Sequence, residues 1–193
     1  MEERAQRIVD TAIELAERGG FEAVRLRDVA ADAGVALGTL YRRFRSKEDL
    51  LIAALEAETA SLEERIRARL PRGSTALERV SGFFEVATRG ICRRPNLARA
   101  CIRAAASGDP ELAQRVAGFQ HRVEALVVSA LRGRPVRVGA DIDEADLAIA
   151  STLQLVWFAS LVAWSGELQG REAVIDQMRK AAAQILPDSR SGH

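Results

Sequence analysis

The chain has 193 residues, of which 48% are hydrophobic and 28% are charged, and its formal net charge is +1. This length is sufficient for a substantial hydrophobic core, and this composition excludes the disordered and fibrous classes. A net charge near zero excludes a general attraction to nucleic acids or anionic membranes, so nucleic-acid binding requires a local basic surface.

Cysteine and histidine are too scarce to build a metal site or a disulfide scaffold. Cys92, Cys101, His121 and His193 are the only residues of these two types, and their spacing matches no zinc motif. The N-terminus starts with an amphipathic charged pattern rather than the apolar core of a signal peptide. We therefore expect a cytoplasmic protein with reduced cysteines, no metal and no cofactor.

Apolar residues recur at spacings of three and four throughout the chain. This pattern predicts an all-α fold of nine helices without strands. The first helix is expected over residues 3–18. Gly19 and Gly20 follow it, and glycine is the residue that most readily adopts the left-handed backbone at the end of a helix.

Two short helices come next and are joined by a tight turn at Gly34. The second of them is expected over residues 37–44, with Ala36 as its N-cap and with Leu40 and Phe44 facing the core. A longer helix followed by two short ones is the pattern of a helix-turn-helix motif, whose second helix enters the major groove of DNA.

Positive charge is concentrated at the end of the second short helix. Arg42, Arg43, Arg45 and Lys47 place four positive charges within six residues. The fourth helix starts here, because Ser46 and the aspartate three residues later form a variant of the capping box. Free backbone N–H groups in the first turn of a helix favour a phosphate, so the sequence predicts a basic surface for double-stranded DNA.

Residues 29–35 (VAADAGV) and 38–51 (GTLYRRFRSKEDLL) carry a specific motif. They resemble the TetR family of bacterial transcriptional regulators, and the resemblance extends over residues 5–55. It implies a nine-helix TetR-like fold. It also implies a ligand-responsive regulator, usually a repressor, that binds a palindromic operator as a homodimer and is released by a small-molecule effector.

The resemblance also implies how the chain is divided. Residues 1–46 are expected to form the helix-turn-helix DNA-binding domain, residues 47–187 the ligand-binding and dimerisation domain, and residues 188–193 a flexible tail. The last two helices, at about 141–168 and 171–186, are expected to form the dimer interface.

Carried over position by position, the family motif assigns DNA contacts in and around the two short helices. The positions that face base edges or the adjacent backbone are Leu37, Gly38, Tyr41 and Arg42. The phosphate contacts are Thr39, Arg43 and Lys47, and further contacts are expected from Arg25 and Arg27. The chain departs from the family at Ala36, where serine is common, so the recognition helix loses an N-cap worth about 1 kcal/mol.

Residues 147–166 contain no charged side chain, which matches the length of a membrane span. Five polar side chains within this segment, and acidic flanks without a positive anchor, argue against that interpretation. A helix that is apolar on all sides can instead be covered by its own subunit on one face and by a partner on another. We therefore expect a homodimer and no membrane association.

The family resemblance further implies a ligand cavity among helices four to eight. The candidate lining residues are Phe83, Phe84, Cys101, Phe119, Val123 and Trp157. Each of these positions is equally compatible with an ordinary core. Polar groups that are candidates to orient a ligand are Thr88, Gln120, His121 and Gln154. The segments RRPNLARACIRA and VWFASLVAW resemble the actinobacterial subgroup that represses sterol and lipid breakdown, which implies a bulky apolar or acyl-CoA ligand.

Two other classes of function fit parts of the sequence. A small helical enzyme requires a nucleophile with a base, a metal set or a phosphate-binding glycine loop, and none of these patterns is found in the sequence. A helical adaptor accounts for the C-terminal helices but leaves the basic surface unexplained. A DNA-binding regulator without enzymatic activity is therefore the preferred interpretation.

Overall fold

The computed structural model describes residues 2–69, 71–137 and 139–186, and the tail expected at 188–193 lies outside them. Within the described residues the chain forms nine α-helices and no strand, which confirms the predicted all-α fold. In chain order these are α1 (Glu2–Ala23), α2 (Leu26–Asp32), α3 (Leu37–Arg43), α4 (Lys47–Ala68), α5 (Ala76–Ile91), α6 (Pro95–Ala105), α7 (Ala113–Arg132), α8 (Glu144–Ser165) and α9 (Arg171–Ile185), with a short 3₁₀ helix at Pro110–Leu112.

The helices pack into two compact units. The first unit comprises the described residues up to Ala60 together with Ile91–Val116, and thus α1 to α3, most of α4, and α6. The second unit comprises Ser61–Gly90 and the described residues from Ala117 onward, and thus α5, most of α7, α8 and α9. Packing therefore places α6, which follows α5 in the sequence, in the same unit as the helix-turn-helix.

The first helix breaks where the sequence predicts. Gly19 departs from helical geometry (φ −142°, ψ 17°), and Gly20 has a left-handed φ of 67°. Residues other than glycine rarely adopt a positive φ, so the glycine pair fixes the position of the break. One further turn, residues 21–23, follows it.

The core of the first unit is built from the apolar faces of its helices. Ala12 of α1, Val29 of α2 and Leu40 of α3 are fully buried, and Phe44 is 3% exposed. The predicted core face of α3 is thus confirmed. Burial of each large side chain contributes about 1.5–3 kcal/mol, so Leu40 and Phe44 anchor α3 on the unit while its other side stays in solvent.

A capping box starts α4, as the sequence predicts. The backbone N–H of Asp49 donates to Ser46 Oγ at 3.1 Å, and Asp49 Oδ2 accepts from the backbone N–H of Arg45 at 3.0 Å. These two bonds satisfy N–H groups that have no partner within the helix. They also fix the turn by which the chain passes from α3 to α4.

Among the described residues, α8 alone is long and apolar enough to cross a bilayer. The core helix of a soluble protein meets the same criterion, and α8 buries one face in the second unit. This face includes Ala150, Leu153, Trp157, Leu161 and Trp164. Packing inside the protein thus accounts for this one face of the helix.

Candidate functional site

Six of the nine predicted DNA contacts lie on α3, which is anchored in the core by the buried Leu40. Tyr41 is 51% exposed although it is aromatic. The next two residues, Arg42 and Arg43, are exposed as well, so the end of α3 presents an aromatic ring followed by two guanidinium groups. The exposed candidates are Arg25, Arg27, Gly38, Tyr41, Arg42 and Arg43, and the partly buried ones are Leu37, Thr39 and Lys47.

Arg42 is oriented by a neighbour on the same helix. Its Nη2 donates a hydrogen bond to Thr39 Oγ1 at 3.1 Å. This contact directs the guanidinium along the exposed side of α3. Ala36 caps the helix without a side-chain hydrogen bond, in agreement with the expected loss of the N-cap.

Lys47 faces the end of α1 rather than open solvent. Its Nζ donates to the backbone oxygen of Phe21 at 3.3 Å and lies 3.9 Å from the centroid of the Phe21 ring. Glu22 Oε2 is 3.8 Å from the same nitrogen, and the lysine side chain is 23% exposed. The phosphate contact assigned to Lys47 stays a prediction, and the structure adds a second set of partners for this ammonium group.

Arg103 of α6 contacts the same turn. Its guanidinium carbon lies 4.0 Å from the centroid of the Phe21 ring, and its Nη1 donates to Glu22 Oε1 at 2.9 Å. Cation–π contacts of this kind contribute roughly 0.5–1 kcal/mol at exposed sites. The turn that leads into Arg25 is therefore fixed by α4 and α6 together.

A further ion network lies at the start of α4, and sequence reasoning missed it. Arg115 Nη1 donates to Asp49 Oδ1 at 2.6 Å, while its Nε and Nη2 donate to Glu56 Oε2 at 3.1 and 2.9 Å. Arg45 Nη1 lies 3.6 Å from Glu111 Oε2. Local sequence patterns carry no signal for these pairs, because the partners are far apart along the chain.

Three of the candidate ligand-binding residues form one aromatic cluster in the second unit. The rings of Phe83 and Phe84 meet edge to face with centroids 5.0 Å apart, and the centroid of Phe84 lies 5.6 Å from that of Trp157. Trp157 Nε1 donates to the hydroxyl of the buried Thr88 at 2.9 Å. Val123 is buried, and Phe119 is partly buried with the Arg122 guanidinium 5.5 Å from its ring.

Gln154 is the polar candidate in this unit whose hydrogen bonding is incomplete. Its side chain is buried, and its Oε1 accepts no hydrogen bond from any described residue. A buried acceptor without a hydrogen-bond partner lowers stability by about 1–3 kcal/mol. A donor that reaches this oxygen therefore recovers part of that free energy. Thr88 is already engaged by Trp157, and His121 is exposed.

Cys101 lies in the core of the first unit, whereas the other five lining candidates belong to the second. It is 1% exposed, and its Sγ donates to the backbone oxygen of Leu51 at 3.4 Å. Burial raises the pKa of this thiol to about 12. Its assignment to the ligand site stays a prediction, and its contacts in the structure are those of a core residue.

The other face of α8 is apolar and exposed. Leu155 is 64% exposed and Val162 is 39% exposed, and a spacing of seven residues puts both on one face. Leu161, by contrast, is only 3% exposed, because it packs inside the unit together with Trp157 and Trp164. A partner that covers α8 therefore meets Leu155 and Val162.

Comparison with known families gives two matches along the chain. The model "Bacterial regulatory proteins, tetR family" matches residues 8–54, and the model "Tetracyclin repressor-like, C-terminal domain" matches residues 73–183. The first match contains α2 and α3 with the exposed basic face, and the second covers more than half of the chain.

Individual relatives agree with these matches. The HTH-type transcriptional repressor KstR of Rhodococcus jostii (strain RHA1) is 34% identical over 186 residues, which is 96% of this chain and 84% of KstR. A crystal structure of a TetR transcriptional regulator from Rhodococcus sp. RHA1 is 25% identical, with a TM-score of 0.81 and 97% of both chains covered. Thermus thermophilus FadR, solved in complex with lauroyl-CoA, shares the fold at 21% identity and a TM-score of 0.73, over 98% of this chain and 96% of that chain.

The relatives named KstR are transcriptional repressors, which agrees with the expected family resemblance. These relatives are transcriptional regulators rather than enzymes, as the sequence predicts. The chain belongs to the TetR family of bacterial transcriptional regulators.

Proposed function

We propose that this protein is a ligand-responsive transcriptional repressor that acts in the bacterial cytoplasm as a homodimer on a palindromic operator. The exposed face of α3 carries this proposal. The seven-residue helix α3 buries Leu40 completely and exposes Tyr41, Arg42 and Arg43 to solvent. A short helix anchored on one side and basic on the other has the form of a recognition helix.

Base readout and phosphate binding are assigned to different side chains. Arg42 is the proposed hydrogen-bond donor to base edges, Leu37 the methyl contact to thymine, and Gly38 the point where the backbone approaches the DNA. The proposed phosphate contacts fix the position of α3 on the duplex without reading sequence. They are Thr39, Arg43 and Lys47. Arg25 and Arg27 are proposed to add further contacts, and Tyr41 is proposed to face base edges or the adjacent backbone beside Arg42.

The proposed dimer forms through α8 and α9, within a ligand-binding and dimerisation domain at residues 47–187. The exposed apolar face of α8 with Leu155 and Val162 supports it. A two-fold symmetric dimer presents two copies of α3, and a separation of roughly 34–36 Å lets them enter successive major grooves. The operator is therefore expected to be a palindrome.

The proposed effector is a bulky apolar molecule or an acyl-CoA. The similarity to KstR and the fold shared with lauroyl-CoA-bound FadR support this class. The aromatic cluster and the unpartnered Gln154 oxygen offer apolar contacts and one hydrogen-bond acceptor. An effector that prefers the conformation unable to bind DNA lowers operator affinity by its differential binding energy, typically about 1–3 kcal/mol.

A footprinting and gel-shift experiment tests this proposal. The probe is the DNA immediately upstream of the chain's own coding sequence, titrated with the full-length protein. We expect a protected palindrome, and we expect lauroyl-CoA to release the protein from it while coenzyme A alone does not. Absence of a protected site contradicts operator binding. A protein–DNA complex that persists in the presence of acyl-CoA molecules of every chain length tested contradicts the proposed effector class.

A further inference from the structure

The turn between α3 and α4 determines how the basic end of α3 is oriented. Arg43 is the last residue of α3, and the turn is closed by one carboxylate of α4. Asp49 Oδ2 accepts from the Arg45 backbone N–H, and the Asp49 backbone N–H donates to Ser46 Oγ. The position of the Asp49 side chain therefore sets the geometry of the three residues that connect the two helices.

The other oxygen of this carboxylate is bound by Arg115. The distance from Arg115 Nη1 to Asp49 Oδ1 is 2.6 Å, and the Asp49 side chain is only 12% exposed. The remaining guanidinium nitrogens bind Glu56, which lies two turns further along the same face of α4. Two guanidinium nitrogens thus hold Arg115 to Glu56, and Nη1 alone reaches the Asp49 carboxylate at the turn.

A neighbouring ion pair offers a contrast. Arg45 and Glu111 also join the turn to the segment before α7, but their side chains are 78% and 65% exposed and 3.6 Å apart. Exposed pairs of this kind contribute little to stability, typically less than about 1 kcal/mol. Arg115, at the start of α7, is therefore the residue through which this part of the chain can act on the turn.

We infer that Arg115 is a positioning residue for operator binding, because it holds the Asp49 carboxylate that closes the turn after the recognition helix. Arg115 itself is assigned no contact with a base or a phosphate. It acts through Asp49 on the orientation of Arg42 and Arg43. The inference rests on the proposed DNA-binding function and adds a residue that lies outside the helix-turn-helix motif.

The test compares Arg115→Ala with Arg115→Lys and with the matched control Glu56→Gln. Affinity is measured by fluorescence anisotropy for a duplex with the footprinted operator and for a shuffled duplex of the same composition. Arg115→Ala is expected to weaken operator binding about ten-fold, equivalent to about 1.4 kcal/mol, and shuffled DNA much less. Glu56→Gln leaves the bond between Arg115 and Asp49 in place and is expected to stay within about two-fold of wild type.

If Arg115 only stabilised the fold, operator affinity would fall in proportion to the melting temperature across the variants. Arg115→Ala and Glu56→Gln both weaken the same ion network, so both are expected to lower the melting temperature. Of these two variants, only Arg115→Ala is expected to reduce the ratio of operator affinity to shuffled affinity. Arg115→Lys keeps the charge but not the three-nitrogen geometry, so an intermediate ratio is expected, and this variant serves if the alanine variant is unstable.

Amide hydrogen exchange provides a readout that needs no DNA. The Arg45 amide is protected by Asp49 Oδ2, so Arg115→Ala is expected to speed its exchange while amides of α5 are unaffected. Operator binding equal to wild type in both Arg115 variants would overturn the inference. A wild-type protein that does not distinguish operator from shuffled DNA would overturn the proposed function itself, and the inference with it.

Discussion

Arg94 and Glu17 connect α6 to α1 through a single carboxylate oxygen. Arg94 Nε donates to Glu17 Oε2 at 2.9 Å, and Arg94 Nη2 donates to the same oxygen. Arg94 Nη1 reaches Glu58 of α4 at 2.5 Å, so one guanidinium joins three helices of the first unit. The helix-turn-helix thus rests on α6 as well as on its own three helices.

This contact makes stability depend on pH in a defined direction. The hydrogen bond from Arg94 lowers the pKa of Glu17 below its usual 4.5. A lowered carboxyl pKa contributes stability that is present above the unfolded-state value and is lost as the pH falls through the folded-state value. We expect Glu17→Gln to lower the melting temperature at pH 7 and the gap to wild type to close below about pH 4.5. A difference in melting temperature that stays constant from pH 7 to pH 3 would contradict this expectation. Glu14→Gln, at an exposed position of the same helix, is the control.

The two faces of α8 predict opposite outcomes for two aspartate substitutions. Leu155→Asp, on the exposed face, is expected to give a folded monomer, because the charge is tolerated in solvent but not in a dimer interface. Leu161→Asp places a charge inside the second unit and is expected to destabilise the fold by about 3 kcal/mol or more. Light scattering with circular dichroism separates the two. A wild-type monomer at micromolar concentration is the result that argues against the dimer.

Lys47 is expected to contribute to DNA binding of any sequence. If its ammonium group meets a phosphate, Lys47→Ala reduces the slope of log K against log salt by about one unit. Leu37→Ala, in contrast, is expected to change the preferred bases and leave the slope unaltered. Binding isotherms at four salt concentrations measure both. An unchanged slope for Lys47→Ala would limit this residue to its contacts with Phe21 and Glu22.

Cys101 is expected to be chemically inert in the folded protein. Its pKa, raised to about 12 by burial, leaves almost no thiolate at neutral pH, and the thiolate is the reactive form. Iodoacetamide at pH 8 is therefore expected to leave Cys101 unmodified until denaturant is added, as mass spectrometry can establish. Rapid modification of Cys101 in the native protein would place this thiol on an accessible surface instead.

The features that the sequence predicts correctly depend on residues close together in the chain. The break at Gly20, the capping box of Ser46 and Asp49, and the buried pair Leu40 and Phe44 all follow from spacings of four residues or fewer. Local chemistry decides these features, so a single sequence is enough to find them.

The features that the sequence does not reveal depend on distant pairs. Arg94 and Glu17 are 77 residues apart, and Arg115 and Asp49 are 66 residues apart, so no periodicity connects them. α8 presents a related problem, because a helix that is apolar on all sides carries no pattern that separates the buried Leu161 from the exposed Leu155. Only the packing of the second unit distinguishes the two faces.

We propose that the exposed face of α3 reads DNA sequence. The most direct test measures the affinities of wild type and Arg42→Ala for the footprinted operator and for a shuffled duplex at one salt concentration. We predict that wild type prefers the operator by about a thousand-fold or more. Arg42→Ala is predicted to lose about ten-fold or more of this preference while its affinity for shuffled DNA changes little. Equal wild-type affinity for the two duplexes, or an Arg42→Ala variant with full preference for the operator, would contradict the claim.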